Sequence, residues 1–294
     1  MIDINFPIPP GYNENPIWTG HDFEIGSDHV SVLHYSEILA GWRPDLTEFI
    51  EDNTKEGDHF LEKASRLHAC SEVKKCLPEH GIVLEVGSSS GYLIRDLIDM
   101  LPNISIIGSD CFPEELNKIS KKYKIPLLQF DLVNCPLPDS CVDVFVALSV
   151  LEHIDEDESA LRQIYRILKP GGYAIIEVPA NKDLYDIHDG NLKHFRRYDM
   201  PELLDMSKKN GFEIQRHSHL GFFMYPVFRA IKRRNQALSS STPQEIIKSQ
   251  MKYSSIFNRV FTLFMRIELL LSDIWIYKKG VRCLVTLKKP QSQS

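Results

Sequence analysis

From Ile82 to Leu287 the chain alternates short apolar runs with amphipathic stretches. The runs are Ile82 to Val86, Ser105 to Ser109, Leu127 to Phe130, Val142 to Leu148 and Tyr173 to Val178. Short runs separated by stretches of helical period predict strands joined by crossover helices, the pattern of a mostly parallel sheet. Leu161, Ile164, Tyr165 and Leu168 share one helical face ahead of the fifth run, and Lys169-Pro170-Gly171-Gly172 predicts the stop that turns this helix into its strand. Upstream, apolar and charged residues mix at helical spacing from His59 to Cys76, and Pro78 to Gly81 closes that element.

The pattern changes at both ends. Residues 1–55 are rich in Pro, Asn and Asp with scattered aromatics and no sustained period, which predicts an extension carrying one short helix. Asp199-Met200-Pro201-Glu202 has the form of a capping box and predicts a helix ending at Asn210-Gly211, followed by a strand through Glu213 to His217. Thr242-Pro243-Gln244-Glu245 has the same form after a Ser-rich stretch. Beyond it, Ile256, Val260, Leu263, Ile267, Leu271 and Ile274 recur at three or four, the stripe of an amphipathic helix. A last strand is expected over Val281 to Leu287. The chain therefore divides into an extension (1–58), a catalytic domain (59–217), a helical insertion or lid (218–280) and a last strand with its tail (281–294).

Composition narrows the classes. With 294 residues, 43% hydrophobic and 25% charged, the chain can bury a large core, and its net charge of −6 supplies no polybasic field for nucleic acid. The six cysteines form no C-x-x-C pair and have no histidine at zinc-ligand spacing, so reduced, mostly buried thiols and no metal are expected. Met1-Ile2-Asp3-Ile4-Asn5 lacks the basic region and apolar core of a secretory signal, and Asn258, Arg259, Arg266, Glu268 and Asp273 interrupt the longest apolar region. A cytoplasmic protein without a membrane span is the expectation.

The strongest local motif is Glu85-Val86-Gly87-Ser88-Ser89-Ser90-Gly91, where a strand ends in an acid and runs into a loop of small residues. Such a loop is an ordinary strand-to-helix turn when read alone, yet it also lets backbone pass close to a ligand at the carboxyl end of a strand. Asp110 ends the next strand, where a carboxylate can accept both hydroxyls of a ribose, and Asp131 follows the third. Each acid alone reads as a cap or a solvated turn; three at successive strand ends point to a nucleoside pocket. The loop lacks G-x-G-x-x-G, and Glu85 would face a pyrophosphate with like charge, whereas it suits a cationic amino group and sulfonium.

These residues resemble the class I S-adenosylmethionine-dependent methyltransferases, in particular the large group that includes ubiquinone-pathway and polysaccharide-cluster enzymes. The resemblance covers Ile82 to Phe212 and rests on the loop from Glu85 to Gly91, on Asp110, on Phe130-Asp131-Leu132, on Val142 to Ile154 and on Leu168-Lys169-Pro170-Gly171-Gly172. It implies an α/β fold with a doubly wound, seven-stranded, mostly parallel sheet of order 3-2-1-4-5-7-6, the last strand antiparallel. S-adenosyl-L-methionine is then the cofactor, with Glu85, Gly87, Ser89, Gly91, Asp110, Cys111, Asp131, Leu132 and Leu148 on the donor side. Ser89 stands where the family pattern has its middle glycine.

Methyl transfer from a sulfonium is an in-line displacement that needs alignment and removal of any acceptor proton. The histidines expected near the pocket mouth are His153, His188 and His194. His194 lies in Tyr185 to Tyr198, which resembles a stretch bordering the acceptor cavity in relatives from glycan and lipid pathways; the same residues also read as an anchor for the loop. The aromatic run from Phe222 to Phe228, followed by Arg229, Lys232, Arg233 and Arg234, reads as insertion core, as a lid, or as a patch in peripheral contact with anionic lipid. The expected activity is methyl transfer to a small-molecule or glycan-like acceptor at oxygen. The alternatives are a noncatalytic S-adenosylmethionine-binding partner subunit, or a C- or N-methyltransferase of a quinone or secondary metabolite.

Overall fold

The computed structural model describes residues 4–36, 59–236 and 255–291. The strands in chain order are β1 (Ile17–Trp18), β2 (Phe23–Ile25), β3 (Asp28–Val30), β4 (Leu33–His34), β5 (Ile82–Val86), β6 (Ser105–Asp110), β7 (Leu127–Gln129), β8 (Val142–Leu148), β9 (Leu168–Pro179), β10 (Glu213–Leu220) and β11 (Arg282–Lys288). The helices are α1 (Phe60–Cys76), α2 (Tyr92–Met100), α3 (Pro113–Lys122), α4 (Asp157–Ile167), α5 (Ile187–Asn191), α6 (Met200–Lys209), α7 (Tyr225–Gln236) and α8 (Ser255–Leu271). The main sheet has the order β10-β11-β9-β8-β5-β6-β7-β4, and β11 runs antiparallel between β10 and β9. Counted from β5, this is the expected 3-2-1-4-5-7-6 arrangement with one strand added at the edge.

Both faces of the sheet are covered, so its inner strands are apolar at nearly every position. On one face Leu84, Phe145 and Ile176 meet Leu161 and Ile164 of α4 and Leu203 of α6. On the other, Val83, Val144 and Ile106 meet Val73 of α1, Leu97 of α2 and Ile119 of α3. Parallel strands with crossovers bring the β5, β6, β7 and β8 exits to a single edge, which positions the site.

Several expectations are corrected. The added strand β4 pairs in parallel with β7, and β1, β2 and β3 form a small antiparallel sheet, so the sheet is eight-stranded and the N-terminal region contributes to it. Among residues 4–36 there is no helix, and residues 37–58 lie outside the described ones, as does the Thr242 to Glu245 cap. Strands of two or three residues leave no period to read, which is why they were illegible. Lys169 to Gly172 do not separate helix from strand: β9 begins at Leu168, and these four residues bulge between its pairing with Val142 and with Val144. Helix α6 sits where expected, yet Asp199 makes no side-chain cap and accepts from the Lys182 N–H instead. Strand β10 continues to Leu220, so the insertion starts after it. All six cysteines are free, with Cys70, Cys135 and Cys283 buried.

Helix α8 falls within the segment where the apolar stripe predicts a helix. Its stripe at Val260, Leu263, Ile267 and Leu271 faces outward, while Met265 is buried against Phe60, Ala64, Leu220 and Leu284. No helix among the described residues is long and apolar enough to cross a membrane.

The N-terminal region is integral to the core: Phe23 is fully buried, stacks edge-on with Phe6 at 5.2 Å, and belongs to the cluster holding Leu128, Phe130 and Leu132. Phe23→Ala is expected to cost about 3–5 kcal/mol in urea denaturation. The loss should fall on one unfolding transition; a separate early transition would show that the N-terminal region folds apart from the sheet.

Candidate functional site

Strand β5 ends at Val86, and the chain turns through Gly87 at φ +81°, Ser89 at φ +41° and Gly91 at φ +75° before α2 begins. A Cβ at Gly87 would lie 2.5 Å from Val150 Cγ2, so only glycine lets this backbone pass beneath the β8 exit. Ser89 accepts the left-handed conformation, and its N–H donates to Asp110 Oδ2 at 2.8 Å. The other oxygen of Asp110 accepts from the Phe112 N–H at 3.0 Å. Burial raises the Asp110 carboxyl pKa, and these two N–H donors oppose the rise. Asp131 caps the short turn Leu132–Asn134 by accepting from the Val133 N–H at 3.0 Å.

These elements wall a cleft of about 500 Å³. Gly87, Ser89, Asp110, Cys111, Asp131, Leu132 and His153 line it; Glu85, Gly91, Leu148, His188 and His194 do not. Glu85 is buried behind the loop, where its carboxyl accepts from the Ser88 hydroxyl, and burial, helped by the nearby Asp110, pushes its pKa up to about 8. Five carboxylates line the cleft, Asp110, Glu115, Asp131, Asp155 and Glu156, against Lys193. Lys118 and Arg196 pair with Glu115 and Asp155, but Asp110 and Asp131 have no ion-pair partner among the described residues. The field opposes a pyrophosphate and suits a cation.

The opposite wall is built by the segment after β9. Asp186 and Asp189 form a reciprocal capping box at α5, with the Asp189 carboxylate accepting from the Asp186 N–H at 3.0 Å. Asp189, completely buried, also accepts from Arg197 Nε at 2.9 Å, from Lys232 Nζ at 2.8 Å and from His194 Nδ1 at 3.0 Å. Lys232 reaches Asp186 as well, at 2.7 Å. Burial alone would raise the Asp189 pKa, but His194, Arg197 and Lys232 hold it well below the usual carboxylate range.

The His194 ring meets His153 edge-on at 4.7 Å, so His194 stands one ring behind the cleft and His153 faces it. Because Asp189 accepts from Nδ1–H, Nε2 of His194 is its acceptor nitrogen. Burial lowers all three histidines: His153 to about 3, with the His194 and Arg282 charges adding to it; His188 to about 4, assisted by Lys232; and His194 less, since Asp189 opposes the shift. All three are neutral near pH 7. Glu152 is buried, its carboxyl pushed up to about 7 by burial, and Glu152, His153 and His194 offer ligand atoms within 4.8 Å of one another, a spacing that could hold a metal ion.

The methyltransferase domain family matches residues 84–176. A protein described as a probable S-adenosylmethionine-dependent methyltransferase of Mycolicibacterium smegmatis is 28% identical over 136 residues, which are 45% of this chain and 52% of the relative. The sterol 4-C-methyltransferase of Caenorhabditis elegans is 27% identical over 192 residues, 62% of this chain and 55% of the relative. The chain thus spans about half the length of these curated relatives. Residues 84–176 thus form a methyltransferase domain, similar to that of S-adenosylmethionine-dependent methyltransferases.

Solved structures agree on the fold of this methyltransferase domain. Phosphoethanolamine N-methyltransferase 2 of Haemonchus contortus, in complex with phosphomonomethylethanolamine and S-adenosylhomocysteine, superposes with a TM-score of 0.53 at 16% identity, over 86% of this chain and 61% of that one. The [4+2]-cyclase SpnF superposes with a TM-score of 0.51 at 19% identity, over 78% and 81%. A cyclase among the neighbours means that this likeness carries the architecture and not the reaction.

S-adenosyl-L-methionine is the cofactor of such domains, and the residues present fit it: a cradle that a Cβ at Gly87 would fill, a carboxylate at Asp110 with lone pairs to spare, and an acidic cleft suited to a sulfonium. Sequence reasoning missed Lys232, which stands in a run of cations and reads as surface, and it gave its partners Asp186 and Asp189 no role beyond their place in the Tyr185 to Tyr198 segment. Asp189→Asn leaves Arg197 and Lys232 without their shared charge and is expected to cost about 3–5 kcal/mol at pH 7. Since the folded pKa is depressed, this contribution is complete above the unfolded value near 4 and is lost as pH falls toward the folded one. The gap between the melts of wild type and variant should hold above about pH 5 and narrow progressively as pH falls below about 4; a gap that stays constant into acid would contradict the network.

Proposed function

We propose that this chain is an S-adenosylmethionine-dependent methyltransferase that acts at the oxygen of a small-molecule acceptor bearing a hydroxyl. The observation that carries the proposal is a single cleft with Asp110 and Asp131 on one wall and His153, backed by His194 and Asp189, on the other. When bound, the donor supplies a methyl group activated by a sulfonium. Asp110 accepts the ribose hydroxyls, the turn at Asp131 and Leu132 holds the adenine, and Gly87, Ser89 and Cys111 border the rest of the donor. Neutral His153, a weak base because it is buried, takes the acceptor proton as methyl transfer builds positive charge on the acceptor oxygen and makes that proton acidic. His194, oriented by Asp189, packs edge-on against His153 from behind. A hydroxyl needs such a base because its proton must leave, which favours oxygen over an acceptor that is already ionised.

A second reading has support in the sterol 4-C-methyltransferase relative. There the same histidines would remove a proton from carbon. Release of S-adenosylhomocysteine in the presence of glycan, phenol, quinol and sterol acceptors separates the readings: turnover with a hydroxyl acceptor supports oxygen, turnover with sterol alone supports carbon, and binding without turnover on any of them supports a noncatalytic subunit.

Asp110→Ala should weaken S-adenosylhomocysteine binding by about 1.5–3 kcal/mol in calorimetry; unchanged affinity in a folded variant removes that role. His153→Ala should slow turnover by about 100-fold with donor affinity retained. His194→Ala should slow it too, by about tenfold, since its ring acts from behind. A larger loss at His194 than at His153, or full rate in both variants, would overturn the order of the pair.

A further inference from the structure

Twelve of the seventeen large apolar side chains that are exposed among the described residues lie between Phe222 and Ile276. Helix α8 is apolar on two sides. One buries Met265 in the core, and the other exposes Leu263 at 59% and Leu270 at 80%, continuing past the helix end into Ile274 at 82% and Trp275 at 64%. A helix apolar on two sides calls for a second apolar environment. The stripe joins the loop before α7 through the Phe223–Phe264 ring contact at 5.9 Å. A groove of about 390 Å³ opens there, lined by Phe222, Phe223, Tyr225, Pro226, Arg229 and Lys279.

Charge identifies the occupant. Among the described residues from Arg229 to Lys279 the exposed cations are Arg229, Arg233, Arg234, Arg266, Lys278 and Lys279 against one exposed acid, Asp273, in a chain whose net charge is −6. No acid occurs from Gly221 to Gln236. Further along, Glu268 is buried and accepts from the Gly221 and Phe222 N–H groups, and Asp273 is paired with Lys75 and Arg216. An apolar helix face rimmed by cations, on a helix whose described residues are neither long nor apolar enough to span, is the arrangement of a helix that lies in a membrane interface.

We propose that α7, α8 and the residues through Lys279 dock on the surface of an anionic lipid bilayer. The proposal does not rest on the methyl-transfer reading, although it gives that reading a direction. Lys232, buried on α7, holds Asp186 and Asp189, and Asp189 holds His194. The lipid-facing helix is therefore fastened to the acceptor wall, and an acceptor drawn from the bilayer would arrive on that side.

The test is sedimentation of the full chain with vesicles of phosphatidylcholine mixed with phosphatidylglycerol, and with vesicles of phosphatidylcholine alone. Binding to the mixed vesicles is expected, about tenfold or more weaker without the anionic lipid and weakened by salt. The double variant Leu270→Asp, Ile274→Asp changes two exposed side chains, so its melting temperature should match wild type while vesicle binding falls about tenfold or more. Equal binding to both vesicle types overturns the anionic requirement. Absence of binding overturns the proposal, as does sedimentation velocity showing a self-association that the double variant abolishes in a chain that ignores vesicles.

Discussion

The cleft depends on one carboxylate that ties two loops together. Asp110 ends β6, yet its oxygens accept from the Ser89 N–H of the preceding loop and from the Phe112 N–H of its own. Ser89 must take a positive φ to aim that N–H, and Gly87 must lack a side chain so that the loop clears Val150. The exits of β5, β6 and β8 are thereby set against each other, and the carboxylate that sets them keeps lone pairs facing the cleft. Glu85 serves the same loop from behind, through Ser88. Its burial makes it a support of the donor wall, where the sequence motif suggests a direct ligand.

The opposite wall of the cleft is organised around a second carboxylate. Asp189 is fully buried and balanced by Arg197 and Lys232, and it leaves His194 neutral and oriented behind His153. Lys232 comes from α7, so the insertion is fastened to this wall by an ion pair. A buried pair of carboxylates with two cations and no exposure tolerates loss of one member poorly. Displacement of α7 would therefore be felt at His194, which makes the surface behind the insertion part of the same functional unit as the cleft.

The doubly wound core was legible because strands covered on both faces are apolar at nearly every position, and the acids closing them stand at fixed strand ends. Val142 to Leu148 is a strand in both readings. What stayed hidden required partners. The strands at Ile17, Phe23 and Asp28 are too short to show a period. The stripe of α8 was visible, but a helix that is apolar on two sides does not declare which side the core takes, and Met265 won over Leu263 because Phe60 and Leu220 are there to receive it. Lys232 looked like its exposed neighbours Arg233 and Arg234 until Asp186 and Asp189 were placed opposite. His194 was read as standing near the pocket mouth, but the ring of His153 stands between it and the cleft.

The central claim is that the cleft above Gly87 and Asp110 takes a sulfonium nucleoside and refuses a dinucleotide. Thermal melting of the full chain with S-adenosylhomocysteine, and separately with NAD, measures this most directly, because a ligand that binds only the native state raises the melting temperature. Stabilisation should grow with S-adenosylhomocysteine concentration and be absent with NAD. Stabilisation by NAD with no response to S-adenosylhomocysteine would contradict it.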